Sequence, residues 1–340
     1  MNKKLNPGKL LDDFGNLSEC GYATSFIKDY DRNQIKASKW RIKERDYYYV
    51  GDDEYGIALT IDDNGYMGLC SLSILNFKTK KYLNNANMFW FPFGKVKMPS
   101  TSKTGDVSYS GKGYKATFLN NNGSRILKFD FDNVEGKKFN CEFLLELTSN
   151  NSLVIATPFT KKKHFYYNQK INNMRVSGTF TWGETSHEFS NNAFGCLDWG
   201  RGVWTYKNNW YWSSMSGKQD GNLIGFNLGY GFGDTSAASE NILFVNDKAY
   251  KLDDVIFNIP KDKKGKEKYL ETWKVYSSDG KIDLKFEPIL DRHDCTNALI
   301  IAQDAHQVFG KFSGKFIVEN GQEIIINNMI GFAEKVKNKW

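Results

Sequence analysis

The stretch Leu127-Lys128-Phe129-Asp130-Phe131 alternates apolar and charged side chains with a period of two residues. This alternation is typical of a β-strand with one face in a core and the other in water. Residues 282–287 repeat the pattern, and a turn dipeptide precedes each stretch, Asn122-Gly123 and Asp279-Gly280. Such dipeptides supply the positive φ angles of tight hairpin turns. Short strands joined by hairpins predict an all-β fold of antiparallel barrels or sandwiches rather than a parallel α/β fold.

Three short stretches in the first half of the chain have similar counterparts, in the same order, in the second half. The pairs are Trp40-Arg41-Ile42-Lys43 with Trp204-Thr205-Tyr206-Lys207, Leu127-Lys128-Phe129 with Leu284-Lys285-Phe286, and Val176-Ser177-Gly178-Thr179-Phe180 with Phe312-Ser313-Gly314-Lys315-Phe316. Collinear echoes of this kind indicate an internal duplication. The length of 340 residues also suits two domains. We therefore predict two lobes, residues 1–190 and residues 191–340.

The charge and hydropathy of the chain limit its partners. A net charge of +7 arises from 46 basic and 39 acidic residues dispersed along the chain. A nucleic-acid surface needs basic residues concentrated on one face, so nucleic acid is not an expected partner. The N-terminus has no apolar segment behind its charges, and no window holds the roughly 18 apolar residues of a membrane span. We expect a cytoplasmic protein without a transmembrane segment.

A cluster of tryptophans marks the place where a ligand would bind. Four of the nine tryptophans fall within fourteen residues, and these are Trp199, Trp204, Trp210 and Trp212. Large aromatic side chains grouped in this way line either a core or a ligand cavity. We predict that all four contribute to a cavity for a hydrophobic small molecule.

Asp198 and Arg201 supply a carboxylate and a guanidinium beside these tryptophans, and two interpretations of them stay open. Burial among the rings would disfavour the charged form of Asp198, as a general acid working near neutral pH requires. An ion pair with Arg201 would instead keep the carboxylate charged and make both residues a structural brace. In the catalytic interpretation, Asp198 is the acid and Arg201 orients the substrate.

His306 is the best candidate for an assisting base, because imidazole is the side chain that titrates nearest neutral pH. Alternation places Val308 on the same side as His306, so an inward, packed and hydrogen-bonded imidazole is the alternative. Weaker candidates for substrate contacts are polar residues near the cluster or at the passage between lobes, namely Glu240, Asn241, Lys170 and Asn172.

Signatures of common cofactors and metals are absent from the sequence. Gly229-Tyr230-Gly231-Phe232-Gly233 lacks the strand, turn and helix that make a glycine-rich loop bind phosphate. No H-E-x-x-H, H-x-H or G-x-S-x-G spacing occurs. His293-Asp294-Cys295 leaves a metal-binding alternative open. We predict neither a metal site nor a cofactor.

Three longer motifs resemble a known bacterial family. They are Asp198-Trp199-Gly200-Arg201-Gly202-Val203-Trp204, the segment 235–241, and His306-Gln307-Val308-Phe309-Gly310 followed by Ser313-Gly314. In this order they are similar to the signatures of domain of unknown function 2804, over nearly the whole chain. Lys311 departs from the arginine expected after the third motif, which puts a bidentate anion contact there in doubt.

The resemblance implies an architecture of two lipocalin-like barrels packed side by side. That architecture is similar to carotenoid hydratases, fungal pericyclase-type cyclases and plant tocopherol cyclases, which act on large apolar substrates without a redox cofactor. Since fold alone does not fix function, two hypotheses follow. The first is a cofactor-independent proton-transfer enzyme of the hydratase, isomerase or cyclase type. The second is a non-catalytic binder or carrier of a hydrophobic small molecule.

Overall fold

β-Strands make up almost all of the regular structure in the computed structural model, which describes residues 2–189, 191–298 and 301–339. The strands, numbered in chain order, are β1 (Gly8–Lys9), β2 (Gly21–Ala23), β3 (Lys28–Asp29), β4 (Ile42–Gly51), β5 (Tyr55–Asp63), β6 (Met67–Asn76), β7 (Lys81–Trp90), β8 (Val107–Gly111), β9 (Tyr114–Asn121), β10 (Ser124–Val134), β11 (Lys137–Glu146), β12 (Leu153–Pro158), β13 (Phe165–Trp182), β14 (Thr185–Phe189), β15 (Phe194–Val203), β16 (Lys207–Gln219), β17 (Asn222–Tyr230), β18 (Ile242–Val245), β19 (Lys248–Lys251), β20 (Ile256–Asn258), β21 (Trp273–Tyr276), β22 (Ile282–Ala298), β23 (Ile301–Ile317) and β24 (Glu323–Lys339). Two 3₁₀ turns, Arg32–Gln34 and Lys39–Arg41, precede β4. Among all the residues that the structure describes, no helix is long and apolar enough to cross a bilayer.

Two curled antiparallel sheets hold the long strands, and each is a meander whose last strand pairs with its first. The main order is β7-β6-β5-β4-β15-β13-β11-β10-β9-β8 in the first sheet and β19-β18-β17-β16-β24-β23-β22-β21-β20 in the second. The pairs β4–β15 and β16–β24 join the start and the end of each meander. Each sheet is therefore a half-barrel, and the prediction of an all-β fold with two lipocalin-like lobes is confirmed.

The change from one sheet to the other comes later in the chain than the predicted lobe boundary at residues 190 and 191. β15 still belongs to the first sheet, because it pairs with β4 and β13 and so completes the first meander. The second sheet begins with β16. The junction thus falls between Val203 and Lys207, inside the tryptophan cluster.

The three sequence echoes do not all mark equivalent places. Gly178 is on β13 and Gly314 is on β23, and each of these strands is next to the last strand of its meander; both glycines have positive φ angles, 121° and 138°. Phe286 lies on the strand next to that of Gly314, whereas Phe129 lies two strands from that of Gly178. The correspondence of Phe129 with Phe286 is therefore wrong if the glycines correspond. Leu-Lys-Phe fits any half-buried strand, so its recurrence needs no common origin.

Side-chain alternation on the strands between the lobes separates two environments. On β15, Leu197 and Trp199 point into the core of the first lobe, while Cys196 packs in a cluster shared with the second lobe. Aromatic pairs across this boundary join Tyr47 to Trp212 at 5.9 Å and Tyr49 to Phe309 at 5.3 Å between ring centroids. The two half-barrels therefore meet along one face of each sheet.

Candidate functional site

A cavity of about 110 Å³ lies between the two sheets, where β4, β13 and β15 of the first lobe face β16, β23 and β24 of the second. The aromatic residues in its walls are Tyr47, Tyr166, Trp204, Trp210, Tyr211, Trp212 and Phe232. For comparison, a protein cavity of about 150 Å³ can bind one benzene molecule. A molecule of about this size is therefore the largest that fits here without movement of the walls. Charged side chains also reach the cavity from both lobes.

Lys170 and Asp198 form an ion pair in the wall of this cavity. They are direct cross-strand neighbours on β13 and β15, and Lys170 Nζ lies 3.0 Å from Asp198 Oδ2. Both side chains are largely buried, with exposed fractions of 6% and 14%. The other carboxylate oxygen, Oδ1, accepts hydrogen bonds from Tyr166 Oη at 3.3 Å and from Asn168 Nδ2. Asp198 is thus held by three donors, and the Lys170 ammonium has its counter-ion at the cavity.

Glu240 is the carboxyl group in the cavity wall that lacks such partners. Its Oε1 atom is buried and has no hydrogen-bond partner among the described residues. Burial raises the pKa of Glu240 to about 7, although the charge of Lys170 pulls it down. The effect of burial on the pKa exceeds that of Lys170, because a carboxylate away from water needs hydrogen bonds as well as a cation to stay charged. A carboxyl group with this pKa is present in both protonation states near neutral pH, so it can give or take a proton.

Glu334 on β24 is a second buried carboxyl group at the cavity, and it is well bonded. Trp210 Nε1 donates to Glu334 Oε1 at 2.6 Å, and Gln307 Nε2 donates to Oε2 at 3.0 Å. Burial raises its pKa, while the hydrogen bond from Trp210 acts in the opposite direction. With both oxygens occupied, Glu334 fixes the position of the Trp210 ring rather than offering a free oxygen to a ligand.

Arg201 lies outside the cavity. One of the two interpretations of the sequence, an ion pair between Arg201 and Asp198, is wrong, because Arg201 pairs with Asp46. Positions 198 and 201 are an odd number of residues apart, so on β15 their side chains leave opposite faces of the sheet. Arg201 is fully buried in the first lobe, with Nη1 2.7 Å from Asp46 Oδ1 and Nη2 2.9 Å from the carbonyl oxygen of Pro99. Its guanidinium also covers the Trp199 ring at 4.1 Å. Arg201 is thus a brace, with Asp46 as its partner.

Three of the predicted ligand-binding residues, Trp199, Asn172 and Asn241, are not among the residues that line the cavity, and they make structural contacts elsewhere. Trp199 is part of the core of the first lobe. Asn172 joins the lobes, because its Nδ2 donates to Ser214 Oγ at 2.8 Å and to the carbonyl oxygen of Phe226 at 3.0 Å. Asn241 accepts from the backbone of Gly229 and donates to that of Asp253, both at 2.8 Å. Lys170, Trp204, Trp210, Trp212 and Glu240 do line the cavity with Asp198.

His306 faces the inside of the second lobe, on the opposite side of β23 from the cavity. Its neighbours Ala305 and Gln307 line the cavity, while Val308, on the same face as His306, is in the core of the second lobe. The imidazole is packed and hydrogen-bonded, with Nδ1 2.7 Å from Asp291 Oδ2. The structure therefore does not bring His306 together with Asp198, and the inward alternative describes its position.

Sequence reasoning missed several residues of the cavity wall. Those with polar side chains are Arg45, Tyr47, Tyr166, Tyr211, Arg292, Gln303, Gln307, Glu334 and Asn338. Tyr166 could have been found from Lys170 by counting back in steps of two along one strand face. Arg292 and Glu334 carry no such signal, because they come from distant strands that only the packing of the lobes brings to the cavity.

The whole sequence matches one protein family. The profile of the family described as "Domain of unknown function (DUF2804)" covers residues 2–340. The chain belongs to the DUF2804 family. No curated protein is similar enough in sequence to add to this assignment.

Solved structures share the fold of this DUF2804 protein at low sequence identity. A protein assigned as AttH from Nitrosomonas europaea has a TM-score of 0.57 at 12% identity, over 90% of this chain and 96% of that one. Kievitone hydratase from Nectria haematococca has a TM-score of 0.52 at 14% identity, over 93% and 97%. CghA with Sch210972 has a TM-score of 0.54 at 9% identity, over 98% and 97%. At these identities the likeness shows the two-lobed fold of the DUF2804 chain.

Proposed function

We propose that this DUF2804 protein is a cofactor-independent proton-transfer enzyme, of the hydratase, isomerase or cyclase type, acting on a small apolar molecule between the lobes. The observation that carries the proposal is Glu240, a buried carboxyl group with an unpartnered oxygen, beside a cavity with aromatic walls. Its pKa of about 7 suits an acid or base that works near neutral pH. Glu240 thus takes the catalytic role that the sequence assigned to Asp198, and Asp198 holds Lys170.

The charge of Lys170 defines which proton transfers this cavity favours. A fixed ammonium group destabilises a carbocation nearby but stabilises negative charge that develops on an oxygen. Its position 3.8 Å from the centroid of the Trp212 ring also means that a cation already occupies that aromatic face. We therefore assign to this site the addition or removal of a proton at a carbon next to a carbonyl group. In this step Glu240 exchanges the proton with carbon, and Lys170 stabilises the oxyanion.

The shared fold is consistent with this class of reaction. Kievitone hydratase is a hydratase by name, and CghA has been crystallised with the compound Sch210972. These likenesses concern the fold alone, so the proposal depends on Glu240 and Lys170 of this chain. The cavity volume of about 110 Å³ indicates a substrate whose reacting part is about one ring in size.

Hydrogen–deuterium exchange at carbon tests the proposal without a known substrate. Native mass spectrometry and solvent extraction first identify any molecule that copurifies with the protein. That molecule, and single-ring ketones and enones as probes, are then incubated with the protein in D₂O and followed by NMR. We expect deuterium to enter next to the carbonyl group, and Glu240→Gln to slow this exchange at least about 100-fold.

Glu44→Gln is the matched control for the loss of a buried glutamate. Glu44 is buried on β4, but its side chain contacts Arg32 and Tyr30 and does not line the cavity. Its variant should keep the exchange rate per folded molecule. Binding of a probe without any exchange would reject the enzyme and favour the carrier. Equal loss in the two variants would reject the role of Glu240.

A further inference from the structure

The long hairpin of β22 and β23 brings together several potential metal ligands on the face opposite to the one that lines the cavity between the lobes. His293 and His306 are direct partners across the two strands, and Cys295 is the partner of Asp304. Cross-strand partners in an antiparallel sheet share a face, and His306 is on the face inside the second lobe. Two imidazoles and a carboxylate therefore meet on the inner surface of this hairpin.

The potential ligand atoms of this group lie within reach of one another. Asp304 Oδ1 is 2.9 Å from His293 Nε2 and 3.5 Å from His306 Nε2. One ligand atom from each of the three residues lies within 4.8 Å of the others. A tetrahedral zinc ion with bonds of about 2.1 Å separates its ligand atoms by about 3.4 Å. The observed distances are therefore close to those that such an ion requires.

A further carboxylate holds His306 in the orientation that a metal ligand requires. Asp291 Oδ2 lies 2.7 Å from His306 Nδ1, and Tyr269 stacks on the imidazole with ring centroids 3.6 Å apart. A carboxylate on Nδ1 fixes the tautomer that presents the lone pair of Nε2, as in many carboxylate–histidine–zinc sites. Asp291 and Tyr269 thus fix the direction in which His306 Nε2 points toward Asp304. A simple surface ion pair would not need these two contacts.

We propose that His293, Asp304 and His306 bind a divalent transition-metal ion of the Zn²⁺ type, with Asp291 as a positioning residue. Two imidazole nitrogens and one carboxylate oxygen are a donor set that such ions prefer, and it leaves a fourth position for water. His293 and His306 stack with their rings inclined by only 6°. Binding turns His293 out of this stack, which its side-chain exposure of 41% allows.

Metal titration of the full-length, tag-free chain tests this site independently of any catalytic activity. All proteins carry Cys295→Ser, because an exposed thiol binds soft metals by itself. Calorimetry with Zn²⁺ should give one tight equivalent, and His306→Ala or Asp304→Asn should weaken it at least about tenfold. Asp291→Asn should weaken it about 10–100-fold, with the visible absorption of bound Co²⁺ retained at saturation.

His187→Ala is the matched control. His187 Nε2 lies 2.6 Å from Asp52 Oδ2, so this is another histidine–aspartate pair, but among the described residues it does not belong to a group of three potential ligands. This variant should bind Zn²⁺ as tightly as the parent, and Zn²⁺ should raise the melting temperature of both but not of His306→Ala. If His306→Ala does not fold, the exposed His293→Ala takes its place. Absence of a stoichiometric site, or affinity unchanged in the ligand variants, would leave only an ion-pair cluster and overturn the proposal.

Discussion

The ammonium nitrogen of Lys170 lies 3.8 Å from the centroid of the Trp212 ring, so a cation of the first lobe covers an aromatic face of the second. Asp198, on the strand beside Lys170, supplies the counter-ion. A cation–π contact gains strength when the cation is removed from water, and the side chain of Lys170 is only 6% exposed. The wall of the cavity and the packing of the lobes therefore depend on the same side chain.

A double-mutant cycle on Lys170 and Asp198 should show a strong coupling. Lys170→Met leaves Asp198 buried without its counter-ion, and Asp198→Asn leaves the ammonium group unpaired. We expect a coupling energy of about 1–3 kcal/mol in the free energy of unfolding, measured by urea denaturation. Lys128 and Glu142 are the control, because they too are cross-strand partners with an N–O distance of 3.0 Å, but are exposed. Their coupling should stay below about 1 kcal/mol, and equal values for the two pairs would contradict the structure.

Glu240 should make the stability of the protein depend on pH. Its pKa is raised from 4.5 to about 7 in the folded state, so the fold binds this proton more tightly than the unfolded chain does. The stability from the neutral carboxyl group is therefore complete below pH 4.5 and is lost as the pH rises to about 7. Relative to Glu240→Gln, the wild type should lose up to about 3 kcal/mol across this interval.

The comparison with Glu240→Gln separates this group from buried ionisable residues that do not interact with it. Burial also raises the pKa of Asp62 to about 7, and that contribution is the same in both proteins. The measurement is the difference in the free energy of unfolding at several pH values. A constant difference from pH 4.5 to pH 7.5 would show that Glu240 is not held neutral, and the proposed acid would then lose its physical basis.

Arg201 should matter for stability and not for ligand binding. Arg201→Met removes the partner of the buried Asp46 carboxylate, which should cost about 3–5 kcal/mol in the free energy of unfolding. Adding Asp46→Asn should restore part of that loss, because no uncompensated charge then remains. Affinity for a cavity ligand, measured on folded protein by calorimetry, should be unchanged. Weaker binding at unchanged stability would return Arg201 to the orienting role that the sequence suggested.

Short-range patterns predicted the fold but not the partners in the site. Alternation on residues 127–131 and the turn dipeptides indicated antiparallel strands, which depend on local geometry. The two-residue period of a β-strand, applied to residues 198–201, also predicts that Asp198 and Arg201 face opposite sides of one strand. Pairing of Lys170 with Asp198 depends on the register of β13 against β15, and that register is set by long-range packing.

The groups that the sequence did not bring together come from distant parts of the chain. Glu240 lies between β17 and β18, and it reaches a cavity wall that residues of both lobes form. His293 and His306 have no metal-binding spacing along the chain, but the register of the β22–β23 hairpin makes them partners. A hairpin of this length places residues far apart in sequence face to face, so spacing rules for short motifs do not detect them.

A side chain at Gly314 should destabilise the fold, and the same substitution at Gly8 separates steric overlap from backbone strain. At Gly314 the φ angle is 138° and an added Cβ would lie 2.2 Å from the carbonyl oxygen of Asp283, whereas at Gly8 the φ angle is 136° and no atom lies within 4 Å. Both alanine variants carry the same backbone strain, but only Gly314→Ala also forces the neighbouring strand to move. We expect Gly314→Ala to lower the free energy of unfolding by about 1–3 kcal/mol more than Gly8→Ala.

Gly178→Ala should behave like Gly314→Ala, because its Cβ would lie 2.1 Å from the carbonyl oxygen of Glu142. If urea denaturation gave Gly178→Ala the small effect of Gly8→Ala, the two glycines would not be equivalent and this pair would no longer support a duplication.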